Sequence, residues 1–318
     1  MSCSITIDAR TGLCALQSPF ALERGGALEE AVLAYEVDGP ESAPLVVALG
    51  GISAGRSVAR WWPEQIGPGR ALDTSRARIV GVDFLGSAGA STGPASSGLG
   101  AAFPSVTTLD QARAIARLLD HLGVERARAL AGASYGGMVA LAFAAAFPER
   151  VERLVAISAP HESAAAARAW RHVQRRVLAL GARAGDEREG VAVARALAMT
   201  TYRCAEDLAA RPELTRWLDA RGRAFAERVD AAAYRALSES LDGHRVRPED
   251  VRVPAILAGA DSDGLVPIAQ LRELRDRLGA PAELVEIRSR FGHDAFLKEL
   301  DAVAAVLRRG LALEEVAS

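Results

Sequence analysis

Ser134 stands in the frame Gly132 Ala133 Ser134 Tyr135 Gly136, directly after an apolar run and directly before a helix-like run starting at Met138. A serine hydroxyl is a weak nucleophile until a neighbouring base takes its proton. Glycine on either side allows a sharp strand-to-helix turn that throws the serine outward with strained dihedrals. The same five residues also fit an ordinary Gly/Ser loop, so the partners decide. His293, behind Gly292 and after the last strand-like run, is the candidate general base, because an imidazole takes and returns a proton near neutral pH. His121, His161, His172 and His244 lie on helix-like segments without a paired motif and receive no role. Asp261 and Asp263 compete as the orienting carboxylate; Asp263, four residues before Pro267, is preferred, and Asp261 is read as loop-shaping. Serine, aspartate, histidine is the chain order that a nucleophile on such a turn requires. An oxyanion on the attacked carbonyl needs two backbone N–H donors, one after the nucleophile and one after an early strand, here Tyr135 and Ile52. Losing such a donor typically costs ~3 kcal/mol in the barrier.

These groups must be held by alternating elements. Val32 to Val37 and Leu45 to Leu49 read as the first strands, the second apolar throughout and suited to burial on both faces. It runs into Gly50 Gly51 Ile52, which lacks the spacing of a phosphate loop and suits a donor loop better. Ala77 to Val82 is the next strand. Thr108 with Gln111 is expected to form a capping box ahead of a helix through Leu122. Arg128 to Ala131 enters the serine turn, Met138 to Phe147 leaves it as a helix, and Leu154 to Ser158 follows as a strand. From about Glu162 to Gly243, Ala, Arg and Leu recur at helical spacing. Ala255 to Ala258, a helix over Ile268 to Leu278, Leu284 to Ile287 and an amphipathic helix over Asp294 to Leu307 close the chain. Strand and helix alternation predicts a mostly parallel central sheet with helices on both faces, an α/β fold. The expected domains are a core of 1–160 and 244–318 with a helical cap inserted at 161–243.

With 318 residues, half of them apolar, the chain can bury a large core. The formal charge of −2 argues against a nucleic-acid surface or a polybasic membrane patch. Cys3, Cys14 and Cys204 are too scattered for a disulfide framework or a zinc site, so no metal is expected. Met1 to Thr6 lacks a signal-peptide pattern, and the longest uncharged apolar run, Met138 to Phe147, falls short of the ~20 residues that span a bilayer. A cytoplasmic protein without membrane partners is the expectation.

The motif set is more specific than a serine, a histidine and an aspartate. Trp61 Trp62, Ile66 to Thr74, Leu85 Gly86 Ser87, Ser91 to Pro94, Phe103 to Thr107, Ser134 to Met138, Val173 Gln174 Arg175 and Gly292 to Leu297 together resemble the signature blocks of the homoserine O-acyltransferase family. Members of that family have the α/β-hydrolase fold, and the resemblance runs from about Val32 to the last helix. It implies a ping-pong transfer of an acetyl or succinyl group from acyl-CoA to homoserine, as in methionine biosynthesis. No cofactor beyond that co-substrate is implied, and dimers are common in the family. By the same resemblance Arg175 would meet the acceptor's carboxylate and Asp294 its ammonium. Serine as acceptor, or an esterase or thioesterase on the same triad, are the competing readings. Two departures bear on the substrate: Tyr135 stands where the family usually has methionine, which leaves open whether the acyl pocket is altered, and no tyrosine lies between Arg175 and Tyr202.

Overall fold

The computed structural model describes residues 10–312; Cys3 and the Met1 to Thr6 segment on which the signal-peptide reading rests lie outside them. Eight strands form one sheet: β1 Arg10–Ala15, β2 Val32–Asp38, β3 Leu45–Leu49, β4 Arg78–Val82, β5 Ala129–Ala133, β6 Leu154–Ile157, β7 Ala255–Ala260 and β8 Ala282–Ile287. Their order is β1-β2-β4-β3-β5-β6-β7-β8, with β2 antiparallel to both neighbours and every other pair parallel. This is the α/β-hydrolase architecture. The edge strand β1 precedes the first strand expected from sequence.

The continuous apolar runs are the central strands. In β3, Val47 and Leu49 enter the core on one face of the sheet while Val46 and Ala48 enter the core on the other. Two-sided burial of this kind removes the polar alternation of a half-exposed strand. The first core also takes in helices α1 (Thr108–His121) and α2 (Tyr135–Ala146), and the second takes in the last helix.

Two local expectations are corrected. The N-cap of α1 is Thr107: its hydroxyl accepts the Asp110 N–H, and Asp110 completes the box by accepting the Thr107 N–H. Gln111 is drawn inward instead, where its amide pairs with both the N–H and the carbonyl of Leu85. The terminal helix does not run unbroken from Asp294 to Leu307. A short turn over Ala295–Lys298 is separated from Leu300–Leu311 by Glu299, and the Phe296 carbonyl accepts the Trp62 indole N–H at 2.9 Å in place of a helical N–H.

Between β6 and β7 the chain is helical: α3 Ala165–Ala184, α4 Glu187–Tyr202, a short turn at Ala205–Ala209, α5 Leu214–Ala226 and α6 Ala231–Gly243. Leu178, Val191, Ala194, Phe225 and Tyr234 give these helices a small core of their own, and Ile52 packs against it. Helix α7 (Ile268–Arg277) joins β7 to β8, and α8 (Leu300–Leu311) ends the described chain. Among the described residues no helix is long and apolar enough to cross a membrane.

Candidate active site

Strand β5 ends at Ala133 and α2 begins at Tyr135, so Ser134 alone makes the turn. Its φ of 54° and ψ of −121° lie outside the regions open to most residues, a strain that the packing around it must hold. The flanking glycines are there for space. A Cβ on Gly132 would come within 2.3 Å of the Gly136 carbonyl oxygen, and one on Gly136 within 2.3 Å of the Leu49 carbonyl oxygen. The frame therefore closes only when both positions lack a side chain, which separates it from an ordinary Gly/Ser loop.

The structure brings Ser134, His293 and Asp263 together from three loops at the carboxyl ends of the strands. Ser134 Oγ lies 2.7 Å from His293 Nε2, and His293 Nδ1 lies 2.7 Å from Asp263 Oδ2. The other carboxylate oxygen of Asp263 accepts the Leu265 and Val266 N–H groups at 2.9 and 3.0 Å, which fixes the carboxylate. Asp261 has a different task, accepting the Ser289 N–H at 3.0 Å and so tying the β7 loop to the β8 loop. Gly292 sets the histidine's approach: its φ is 60°, and a Cβ there would reach the Tyr202 carbonyl oxygen at 2.7 Å. Burial opposes charging the His293 imidazole, but the adjacent Asp263 carboxylate, aided by Asp294, outweighs it and holds the pKa above 6.5. His244 is the contrasting case. Fully buried between Thr108 Oγ1 and the Pro160 carbonyl, it has a pKa pushed down to about 3 by desolvation and serves as a neutral structural bridge.

Of the two oxyanion candidates, Ile52 lines the cavity above Ser134, and Tyr135 opens α2, whose first N–H groups have no partner within the helix. A Cβ on Gly51 would sit 3.8 Å from Ser134 Cβ, so the loop carrying Ile52 passes directly over the serine. Asp83 holds that loop: it is buried, accepts the Arg56 N–H at 2.7 Å and pairs with the Arg56 guanidinium at 2.5 Å. The question that Tyr135 raised is answered by its side chain, which does not line the cavity. It turns into the core, edge-on to Phe84, with its hydroxyl 2.7 Å from Ser240 Oγ on α6. Burial there pushes its pKa well up and keeps it protonated.

Ser134 and His293 open into a cavity roofed by α3, α4 and α6. Its lining includes Trp170, Arg171 and Gln174 of α3, Tyr202 of α4, and Tyr234 and Ser238 of α6, none of which sequence reasoning singled out apart from Gln174 within its Gln-Arg pair. The available signal was helical spacing: Ala167, Arg171, Gln174 and Leu178 form the buried face of α3. Arg175 is turned off that face. It donates to Ser238 Oγ and to Asp242, and it borders an outer groove with Pro94, Gly100 and Asp230. Asp294 sits beside the histidine but is engaged by Arg203 at 2.7 Å.

A family model described as the alpha/beta hydrolase fold matches residues 44–300. The homoserine O-succinyltransferase of Xanthomonas campestris pv. campestris is 40% identical over 300 aligned positions, covering 88% of this chain and 78% of the relative. The homoserine O-acetyltransferase of Thermus thermophilus is also 40% identical, over 271 positions, covering 78% and 70%. Among solved structures, a homoserine O-acetyltransferase from Staphylococcus aureus superposes with a TM-score of 0.85 over 98% of both chains at 25% identity.

Proposed function

The chain belongs to the homoserine O-acyltransferase family of the α/β hydrolase fold, and from that premise we propose a double displacement through Ser134, with acyl-CoA as donor and homoserine as acceptor. The 2.7 Å contact between Ser134 Oγ and His293 Nε2 carries the proposal. His293 takes the serine proton as Oγ attacks the thioester carbonyl, and the Asp263 carboxylate stabilises the imidazolium. The N–H groups of Ile52 and Tyr135 receive the oxyanion. Collapse expels the CoA sulfur, which takes the proton from His293, and leaves the acyl group on Ser134. The acceptor hydroxyl then enters, gives its proton to His293 and attacks the ester. Collapse of the second tetrahedral adduct returns that proton to Ser134 Oγ and releases the O-acyl amino acid.

Water competes with the alcohol for the same acyl-enzyme, so its exclusion separates a transferase from a hydrolase. Residues 161–243 supply that cover in our reading. Burial of the cavity beneath α3, α4 and α6 supports it. The test is to incubate the protein with acetyl-CoA or succinyl-CoA, with and without homoserine or serine, following free CoA and protein mass. Transfer predicts an acyl adduct on the wild type, absent in Ser134→Ala and discharged by the acceptor. CoA release at full rate without an acceptor makes the protein a hydrolase, and absence of any adduct overturns the double displacement.

A further inference from the structure

The end of α4 is pinned to the loop that carries His293. Cys204 Sγ donates to the Arg290 carbonyl, and the Tyr202 carbonyl lies where a Cβ on Gly292 would fall. The Tyr202 ring stands 5.9 Å from the His293 ring, centroid to centroid. Between Tyr202 and Cys204, Arg203 sends its guanidinium to Asp294, the residue after the histidine, with Nη2 2.7 Å from Oδ2. Both side chains are about nine-tenths buried, at 8% and 11% exposure. Arg203 Nε and Nη1 are buried without a hydrogen bond among the described residues. The other acid near the guanidinium, Asp207, lies 3.6 Å from Nη1 and is taken up by Arg211 at 2.7 Å. The Trp217 ring lies against this cluster, 4.0 Å from the Arg211 guanidinium and 5.8 Å from that of Arg203. Asp294 and Arg203 are therefore each other's principal counter-ion.

Several elements turn polar or charged groups toward His293. Asp263, from the β7 loop, meets Nδ1 at 2.7 Å, and Ser134 meets Nε2. Asp294, on the histidine's own turn, favours its charged form, whereas Arg171 of α3 opposes it. The Tyr202 ring comes from α4, with Arg195 Nη1 3.5 Å from its hydroxyl, and the Phe296 ring stands edge-on. Of the two carboxylates only Asp263 makes a hydrogen bond to the imidazole. A second, unopposed carboxylate at this depth would hold the imidazole protonated, and a protonated base cannot take the serine proton. We propose that Arg203 is a positioning residue for the general base: its guanidinium neutralises Asp294, so that Asp263 alone orients His293 and stabilises its imidazolium, and the same pair ties α4 to the histidine loop. The proposal rests on the reading of His293 as general base to Ser134.

The experiment compares wild type with Arg203→Gln, Arg203→Lys, Asp294→Asn and the double variant Arg203→Gln/Asp294→Asn. One readout is the acid limb of kcat/KM, with acetyl-CoA or succinyl-CoA as donor and homoserine as acceptor. The other needs no turnover: NMR titration of the imidazoles in protein carrying ¹⁵N-labelled histidine, the His293 signal being the one lost in His293→Gln. Arg203→Gln leaves Asp294 unopposed, so the limb and the titration should both move to higher pH by about one unit, a roughly tenfold loss of kcat/KM on the acid side. Asp294→Asn leaves Arg203 unopposed and should move both to lower pH. The double variant should fall between the single ones, and Arg203→Lys, which restores the charge, should return most of the shift. A lowered Tm in Arg203→Gln with neither readout moved, or movement of both single variants in the same direction, overturns the proposal. If Arg203→Gln does not fold, the double variant, which leaves neither partner unpaired, is compared with Asp294→Asn. Its His293 must then titrate at the higher pH of the two, and equal titration overturns the proposal. If wild type transfers no acyl group, the acyl-transfer reading fails, and the imidazole titration alone decides whether Arg203 acts on His293.

Discussion

Asp263→Asn should disable the enzyme by inverting a histidine tautomer, with little change in shape. The two peptide N–H groups of Leu265 and Val266 both point at Oδ1 of Asp263. They oblige an asparagine to place its carbonyl oxygen there and therefore its NH₂ against His293 Nδ1. That nitrogen must then accept, and the ring proton moves to Nε2, the atom 2.7 Å from Ser134 Oγ. A protonated Nε2 cannot take the serine proton. The expected fall in kcat is about 10⁴-fold, the size found when this tautomer is lost in a Ser-His-Asp triad, or ~5.5 kcal/mol in the barrier. A second signature is independent of that size. The wild-type base must be neutral to act, so kcat/KM declines as pH falls through the His293 pKa, which Asp263 holds above 6.5. Removing that carboxylate leaves the burial that lowers the pKa, so the acid limb of the residual activity moves to lower pH. Stability follows the same linkage. In the wild type the raised pKa contributes stability that is fully present below 6.5 and is lost as pH rises through the folded-state value. Steady-state kinetics and thermal melts across pH 5 to 9, with Asp261→Asn as the control, make the assay. A loss below tenfold, or an unmoved acid limb, would refute the assigned tautomer.

Tyr135→Phe should keep kcat close to wild type, because the reacting group proposed there is the peptide N–H, while stability falls by ~1–3 kcal/mol as Ser240 loses its buried partner; melting and kinetics separate the two effects. Gly136→Ala should abolish the elbow, since the added carbon would overlap the Leu49 backbone, and circular dichroism of the purified variant should show a lowered Tm or failure to fold. Asp83→Ala removes the anchor of the Ile52 loop. Breaking a buried pair costs ~3–5 kcal/mol, and the one-third exposure of Arg56 puts this case at the lower end; a drop in kcat larger than the rise in KM would mark misplacement of the oxyanion donor.

The central strands and the loops carrying Ser134, Asp263 and His293 were legible because the features that encode them are local. Leu45 to Leu49 is apolar at every position since both faces of β3 are covered, and the serine frame demands glycine at two fixed positions for want of space. Asp261 and Asp263 were harder to tell apart, being two residues apart in one loop. Only the convergence of Leu265, Val266 and His293 on one carboxylate, against the single Ser289 contact of the other, distinguishes them. The capping box slipped by one residue because Thr107 Thr108 Leu109 Asp110 Gln111 offers two threonine frames, and the Leu85 backbone takes Gln111 out of contention.

The residues over the cavity are encoded differently. The cavity roof comes from helices in which arginine recurs every few residues, so charge alone picks out none of them. Arg171 and Arg175 are one turn apart and nearly share a helix face, and a sequence motif centred on Gln174 Arg175 draws attention to the second. The difference arises 70 residues away. Asp242, on α6, draws both guanidinium groups to itself, and the roughly 100° rotation per residue of an α-helix leaves position 171 with Ala167 and Gln174 over the cavity while 175 swings toward the outer groove. The position of Asp242, rather than anything in α3 alone, therefore decides where each guanidinium settles. In a chain whose positive charge is almost all arginine, the informative residue for the placement of guanidinium groups is therefore the scarce acid. Substituting Asp242→Asn should loosen the hold on both Arg171 and Arg175 and lower stability by ~3–5 kcal/mol, the cost of leaving buried charges without their partner. A lowered Tm in thermal melts supports this anchoring, whereas an unchanged Tm would count against it.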